Sequence, residues 1–136
     1  MSPPRAWTFG PADGLPEPIA PFSHAVAHGD TLYVTGQMPI DPSTGGLVDG
    51  AIVEQTDAVM GHLQRILERC GASLDAVVQA RAFLTSMDLY AYFNAAYTAW
   101  FVKPLPARTC VAVTGLALGA LVEVDLIAAL DGSTRV

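Results

Sequence analysis

The clearest repeating pattern of apolar positions lies in the middle of the chain. Apolar residues recur there in steps of three and four, which is the spacing of one face of an α-helix. This stripe consists of Ile52, Thr56, Val59, Met60, Leu63, Ile66, Leu67 and Cys70. Gly71 follows it directly, as glycine often does after the last helical turn. The pattern predicts a long amphipathic helix, with His62 off the stripe and exposed to solvent.

A second helical pattern, rich in aromatic residues, precedes Lys103 and Pro104. Ser86 or Asp88 can cap its start, because short polar side chains accept hydrogen bonds from the first backbone N–H groups. The residue before a proline disfavours helical angles, which predicts an end at Lys103. Its apolar positions are Leu89, Phe93, Ala96, Tyr97, Trp100 and Phe101. At this spacing the rings indicate packing in a core or an interface, not a platform for stacking bases.

Extended segments surround the two helices. Runs of apolar and β-branched residues bounded by turn residues predict strands. These runs cover residues 23–27, 31–37, 77–86, 107–113 and 121–130, with one further short strand around residues 6–9. Strands grouped around two helices predict an α+β fold, in which one sheet carries both helices on one face.

The last predicted strand is apolar on both faces. One face carries Val122, Val124, Leu126, Ala128 and Leu130, and the other carries Leu121, Glu123, Asp125, Ile127 and Ala129. A face that meets solvent should alternate to polar residues more cleanly. We therefore expect the second face to meet another protein surface.

Composition points in the same direction. The chain has 136 residues, of which 51% are hydrophobic, and its mean hydropathy is +0.38. This length predicts one domain over residues 1–136, with residues 1–20 as an extended lead-in. A domain of this size lacks the interior to hide so much apolar surface, so we expect an oligomer.

Charge and cysteine content narrow the class of protein further. Lys and Arg number 7 against 13 Asp and Glu, which gives a net charge of −6 and no basic patch for nucleic acid.

The N-terminus lacks the pattern of a signal peptide, and no apolar run reaches the ~18 residues of a membrane span. Cys70 and Cys110 form no CxxC motif, and no Cys/His cluster indicates a metal site. We expect a cytoplasmic protein with reduced thiols.

Three residues near the C-terminus are candidates for chemistry. Arg108 is a lone guanidinium on a predicted strand, where it pairs either with Glu123 or Asp125 or with the carboxylate of a ligand. Glu123 is either a half-exposed strand residue or, with a pKa raised by apolar surroundings, a group that transfers protons. Cys110 is either a small buried strand residue or a nucleophile. The first role fits better, because the sequence shows no nearby base that would form the thiolate.

The order of motifs resembles the RidA (YjgF-type) family of enamine/imine deaminases. The segments that carry this resemblance are "APFSHAV", "VTGQMPIDPSTGGLV", "FNAAYTAWF", "PARTCVAV" and "ALVEVDLIA", which lie between Pro21 and Leu130. The resemblance implies a chorismate mutase-like fold, with a mixed sheet and two helices on one face. It also implies a homotrimer, in which three sheets form a central barrel and ligands bind in clefts between subunits.

The same resemblance implies an activity. RidA-type proteins hydrolyse 2-iminoacids such as 2-iminobutanoate and 2-iminopropanoate, or enamine tautomers such as 2-aminoacrylate, to 2-ketoacids and ammonia. They use no metal and no organic cofactor. The family's pattern makes Arg108 the group that grips the substrate carboxylate, with the Cys110 backbone holding a water and Glu123 orienting or deprotonating it. Thr35 and Gly36 would line the pocket, and Asn94 matches the family's helix asparagine.

One position departs from the family pattern. Many active members carry tyrosine where this chain has Phe22, which lacks a hydroxyl. The missing hydrogen bond is typically worth ~0.5–1.5 kcal/mol. Phe22 would suit a larger or more apolar substrate, so a deaminase of 2-aminomuconate type stays an alternative. A trimeric, non-catalytic binder of small carboxylates is the other alternative.

Overall fold

The computed structural model describes residues 2–136 and confirms the α+β fold. The strands are β1 Arg5–Trp7, β2 Ala25–His28, β3 Thr31–Gln37, β4 Val77–Leu84, β5 Ala107–Ala112 and β6 Val122–Ala129, and the helices are α1 Ile52–Arg69 and α2 Tyr90–Thr98. Each predicted element is present, with ends within a few residues of those expected. The second helix is present but shorter than predicted, since a 3-10 turn at Met87–Leu89 precedes it and it ends at Thr98.

All six strands form one mixed sheet in the order β1-β2-β3-β6-β4-β5. The pairs are antiparallel except for β4 and β5, which run parallel because α2 carries the chain back between them. The two C-terminal strands β5 and β6 therefore do not touch each other, and β4 lies between them. This order decides how far apart the residues on β5 and β6 can be.

Helix α1 covers one face of the sheet, which we call the helix face. Strand β6 alternates between buried and half-buried residues along its whole length, as the apolar pattern predicted. Its buried side chains join those of α1 in the main core, which also includes Phe93 and Tyr97 of α2. The opposite side, which we call the open face, carries Arg81, Glu123 and Asp125 with no helix over it. Within residues 2–136 no helix has the length and apolarity needed to span a bilayer.

The buried face of α1 is wider than its apolar stripe, and the prediction for His62 is wrong. His62 is only 8% exposed, and its Nε2–H donates to the Ile40 carbonyl oxygen at 2.7 Å. Burial lowers the pKa of His62. Gln55 is buried too, and its side-chain oxygen accepts from the Leu121 N–H at 2.8 Å. Both polar side chains are buried because each reaches a backbone group of a loop that packs on α1.

The described part of the lead-in, residues 2–20, is more than an extended segment. Leu15 is fully buried in the main core, and β1 pairs with β2 at the sheet edge. His24 holds this segment in place, because its Nδ1 accepts from the Phe9 N–H at 3.0 Å and its Nε2–H donates to the Pro16 carbonyl at 3.2 Å. This arrangement uses both nitrogens of a neutral ring, and burial lowers the pKa of His24.

The C-terminus is fixed by one arginine. The Arg135 guanidinium donates to the carbonyls of Pro104, Leu74, Val77 and Val102 at 2.6, 2.7, 2.9 and 3.2 Å. These carbonyls belong to the start of β4 and to the connection between α2 and β5. Arg135 therefore links the end of the chain to the segment that positions β5.

Candidate functional site

Arg108 lies on β5, which is an edge strand of the sheet. It pairs in register with Ala80, whose side chain is buried in the core under the helices. Paired residues of neighbouring strands project to the same side, so Arg108 belongs to the helix face. The strand therefore directs the guanidinium toward α2.

Three aromatic rings of α2 surround the Arg108 guanidinium. Its central carbon lies 5.6 Å from the ring centroids of both Tyr90 and Phe93, and 5.1 Å from that of Tyr97. One nitrogen donates to the Tyr90 hydroxyl at 3.1 Å. Cation–π contacts of this kind hold a guanidinium in place without neutralising its charge.

The internal ion pair considered for Arg108 is not formed. Asp125 pairs instead with Arg81, through two hydrogen bonds of 3.0 and 2.7 Å. Glu123 lies on the open face, on the other side of the sheet from Arg108. Within residues 2–136 the Arg108 guanidinium contacts no carboxylate, and its hydrogen bond to Tyr90 uses one of its five N–H donors.

Cys110 lies two residues along β5 from Arg108 and projects to the same side. Burial raises the pKa of the Cys110 thiol, and the nearby Arg108 charge offsets this only in part. The thiol is therefore protonated near neutral pH, which argues against a thiolate nucleophile. What this position offers to a ligand is its backbone, beside the guanidinium of Arg108.

Glu123 forms a second centre on the open face, together with Gly36 of β3. The β3–β6 register shifts between Val34 and Gln37, and Gly36 lies within this irregular stretch. A Cβ added at Gly36 would overlap the Glu123 carboxylate, so only glycine leaves room for that carboxylate in its present position. Burial, and then the neighbouring charge of Asp125, raises the pKa of Glu123.

Phe22 lies beside this second centre. It lines a narrow crevice of mixed polar and apolar character with Gly36, and the other lining residues are Pro16, Glu17, Pro18, Ile19, His24, Gln37, Met38 and Ile40. The Phe22 ring meets the His24 ring at 6.3 Å, edge to face. Phe22 is 38% exposed, so its ring forms part of the wall that a molecule next to Gly36 would meet.

Thr35 and Gly36 also line a larger concave surface on the open face. This surface has a volume of about 600 Å³ and includes Tyr33, Arg81 and Asp125. It is open and mixed in character, because the ion pair of Arg81 and Asp125 lies next to apolar side chains. The structure thus brings together Phe22, Thr35, Gly36 and Glu123.

Asn94 lies on α2, next to Phe93 in the chain. Its side-chain oxygen is buried and has no hydrogen-bond partner within residues 2–136. Buried polar atoms are nearly always paired, so this atom is one that a ligand or a neighbouring chain could satisfy. Asn94 belongs to the helix face with Arg108 and Cys110.

The candidate residues therefore form two groups on opposite faces of the sheet. Arg108, Cys110 and Asn94 are on the helix face, whereas Phe22, Thr35, Gly36 and Glu123 lie on or beside the open face. Arg108 and Glu123 are two strands apart, which is ~10 Å across the sheet, and they project in opposite directions. No small molecule can touch both side chains within one chain.

Two side chains next to the candidate residues were missed in the sequence, Tyr90 beside Arg108 and Arg81 beside Asp125. Tyr90 could have been found, because it lies three and seven residues before Phe93 and Tyr97 and so shares their side of α2. Arg81 carried no such signal, because its pairing with Asp125 depends on which strands are neighbours. No three His, Cys, Asp or Glu side chains of residues 2–136 lie together in a way that could hold a metal ion.

Comparisons with known proteins find a matching family model and many similar relatives. The family model described as "Endoribonuclease L-PSP" matches residues 14–130. A RutC family protein of Pyrococcus abyssi is 42% identical over 113 residues, which cover 83% of this chain and 89% of the relative.

Solved structures agree with this result. RidA from the Antarctic bacterium Psychrobacter sp. is 34% identical with a TM-score of 0.82, and the match covers 86% of this chain and 94% of that one. The structure of Escherichia coli TdcF, which contains bound serine, is 25% identical with a TM-score of 0.81 and the same two coverages.

Proposed function

Because the chain belongs to the YjgF/RidA/RutC family, we propose that it hydrolyses reactive 2-iminoacids and their enamine tautomers. The products are a 2-ketoacid and ammonia. Water adds to the imine carbon, the C=N bond is lost in two steps, and the nitrogen leaves after taking up a proton. A protonated imine is already electrophilic, so the protein needs to supply orientation and a placed water, without a metal or an organic cofactor.

The single observation that carries this proposal is the state of Arg108. Its guanidinium is held by aromatic rings, contacts no carboxylate of residues 2–136, and keeps most of its N–H donors free. A planar guanidinium matches a carboxylate through two parallel hydrogen bonds. The carboxylate common to all 2-iminoacids is thus the group that Arg108 is suited to bind. Serine, which is bound in the structure of TdcF, carries such a carboxylate.

Glu123 is suited to the proton transfers. Its raised pKa brings the carboxyl group closer to neutrality, where it can accept a proton from the attacking water and return one to the departing nitrogen. Gly36 leaves space for the carboxylate and Phe22 provides an apolar wall next to it. The backbone at Cys110, beside Arg108, would help to hold the water.

A second copy of the chain completes the proposed site. Since Arg108 and Glu123 project from opposite faces of one sheet, a substrate can meet both only where the helix face of one copy meets the open face of another. The open face carries exposed apolar side chains, among them Tyr33 at 50% and Val111 at 42% exposure, that such contact would bury. A homotrimer with three such sites is the assembly we propose.

The name of the matching family model points to a nuclease, and the charge distribution argues against that role here. A net charge of −6 opposes binding to a phosphate backbone. Arg81 and Arg135 are, in addition, already engaged with Asp125 and with backbone carbonyls.

The test is hydrolysis of 2-iminoacids that an amino-acid oxidase generates in the assay. Arg108→Ala should lower kcat/KM by at least about 100-fold, because losing a charge-assisted pair leaves a carboxylate unmatched. Arg108→Lys should recover only part of this loss, since lysine lacks the planar fork. Arg69→Ala, which removes an exposed arginine paired with Asp13, is the matched control and should leave the rate unchanged.

Two results would contradict the proposal. Wild-type turnover in Arg108→Ala would remove the carboxylate-binding role. Background turnover in the wild type, together with tight binding of 2-ketoacids that Arg108→Ala abolishes, would instead identify a non-catalytic binder of small carboxylates.

A further inference from the structure

The hydroxyl of Tyr90 lies within hydrogen-bond distance of the guanidinium of Arg108, at 3.1 Å from one of its nitrogens. In this contact the guanidinium donates and the phenol oxygen accepts. The hydroxyl hydrogen is therefore still available, and Tyr90 makes no other side-chain hydrogen bond with residues 2–136. A tyrosine that accepts from a cation has a hydroxyl that is polarised toward donating.

The position of Tyr90 favours a ligand contact. Its ring is 37% exposed, whereas Phe93 and Tyr97, the other two rings around Arg108, are almost fully buried. Phe93 and Tyr97 support the guanidinium from within the core. Tyr90 lies at the rim, next to the nitrogens that a carboxylate would approach.

Phe22 differs from Tyr90 in having no hydroxyl to offer a ligand. The crevice beside Gly36 is walled in part by the Phe22 ring, which carries no hydroxyl. This chain thus has a phenolic hydroxyl next to Arg108 and none at Phe22. The phenolic hydroxyl of the proposed site therefore lies on the Arg108 side, and the ring beside Gly36 contributes only apolar contact.

We infer that the Tyr90 hydroxyl is a second donor to the substrate carboxylate, and that Tyr90 and Arg108 form one anion-binding pair. This inference rests on the proposed function. The pair offers three donors to a carboxylate, two from the guanidinium fork and one from the phenol. Its ligands are 2-iminoacids and 2-ketoacids with a free carboxylate and an apolar side chain, while esters and amides are bound poorly because they carry no negative charge.

The first experiment measures binding of pyruvate and 2-oxobutanoate by calorimetry, together with steady-state kinetics. Tyr90→Phe should weaken ketoacid binding and raise KM by about 10- to 100-fold, the range expected for one hydrogen bond to a charged group, with kcat within about twofold of wild type. Tyr92→Phe removes an exposed hydroxyl from the same helix, where it makes no hydrogen bond, and should change neither quantity. Unchanged ketoacid affinity in Tyr90→Phe would overturn the inference.

The second experiment separates direct donation from a role in which Tyr90 only holds Arg108. Replacing Tyr90 with 3,5-difluorotyrosine makes the neutral hydroxyl a stronger donor and a weaker acceptor, and ketoacid affinity is measured at a pH below its ionisation. If the hydroxyl donates to the ligand, the affinity should rise above that of wild type. If Tyr90 only accepts from Arg108, the affinity should stay constant or fall, and the inference would be wrong.

These outcomes are distinguishable from failure of the proposed function. Loss of turnover in Arg108→Ala with no effect of Tyr90→Phe would leave the deaminase proposal standing and reject the role of Tyr90. Full turnover in Arg108→Ala would reject both.

Discussion

At the scale of single residues, the surroundings decide which charges are free to act. Asp125 has a bidentate partner in Arg81, and Arg135 is used up by backbone carbonyls. Arg108 is held by rings and a hydroxyl, which leaves its charge uncompensated by any carboxylate of residues 2–136. Arg81 and Arg135 thus stabilise the fold, whereas Arg108 is available to a ligand.

Glu123 gives a prediction for stability against pH. Its pKa is raised in the folded chain, first by burial and then by Asp125, so the folded state favours the protonated form. The stabilisation that this provides is fully present below the ordinary pKa of glutamate and is lost as the pH rises through the raised value. Glu123→Gln should therefore have a higher Tm than wild type at neutral pH, while it is inactive as a deaminase.

Thermal unfolding over a pH series checks this prediction. The difference in Tm between Glu123→Gln and wild type should shrink toward zero as the pH falls below ~4. Glu68→Gln, which removes an exposed carboxylate on α1, is the matched control and should show no such trend. A Glu123→Gln variant that is less stable than wild type at neutral pH would mean that the charged carboxylate stabilises the fold.

Some residue-scale features could be predicted from the sequence and others could not. The alternation along β6 placed Glu123 on the mixed face correctly, because a strand has a fixed period of two. The burial of His62 and Gln55 could not be predicted, because each depends on a backbone group that only the folded loops bring near. The partner of Asp125 depended in the same way on β4 lying next to β6.

At the scale of elements, the irregular stretch of β3 positions the catalytic carboxylate that we propose. Gly36 lies where the register with β6 shifts, and the space left by its missing side chain is filled by Glu123. The motif that contains Gly36 was evident in the sequence, but the sequence did not show that Glu123 would lie against this glycine. Identifying it required the pairing of β3 with β6, two strands separated by most of the chain.

Gly36→Ala tests this arrangement. The added Cβ should push the Glu123 carboxylate away from its position, and a misplacement of ~1 Å can cost about 100-fold in rate. We expect kcat to fall by about that factor while the affinity for 2-ketoacids, measured by calorimetry, stays within about threefold, because Arg108 is untouched.

Gly46→Ala is the matched control for this substitution. A Cβ at Gly46 meets only the Thr44 hydroxyl, at 3.8 Å, and should leave kcat unchanged. Wild-type kcat in a folded Gly36→Ala variant would show that the position of the Glu123 carboxylate does not limit the reaction.

The helices and strands themselves followed closely from the sequence. Periodicity gave α1 and β6 with ends near those observed, because their apolar faces are long and regular. The second helix was predicted too long, since the 3-10 turn at Met87–Leu89 and the bends after Thr98 preserve an apolar spacing similar to that of a helix. The order of the strands in the sheet could not be predicted, because periodicity carries no information on which strands are neighbours.

At the scale of the whole molecule, one chain carries the residues of the proposed site in two groups on opposite faces of its sheet. The apolar composition and the mixed open face indicated contact with another protein surface, and the family resemblance named a trimer. The geometry adds a reason why assembly and activity would be linked: Arg108 and Glu123 are on opposite faces of the sheet, with β4 between their strands. The proposed activity therefore depends on two copies that each contribute one half.

Complementation between two inactive variants measures this dependence directly. Arg108→Ala and Glu123→Gln should each be inactive when purified alone. When they are unfolded together and refolded as a 1:1 mixture, random assembly should place an intact Arg108 opposite an intact Glu123 in about a quarter of the sites and restore that share of wild-type activity. Recovery of about a quarter of the activity is the predicted result, and a co-assembled mixture as inactive as its two parents would contradict a site built from two chains.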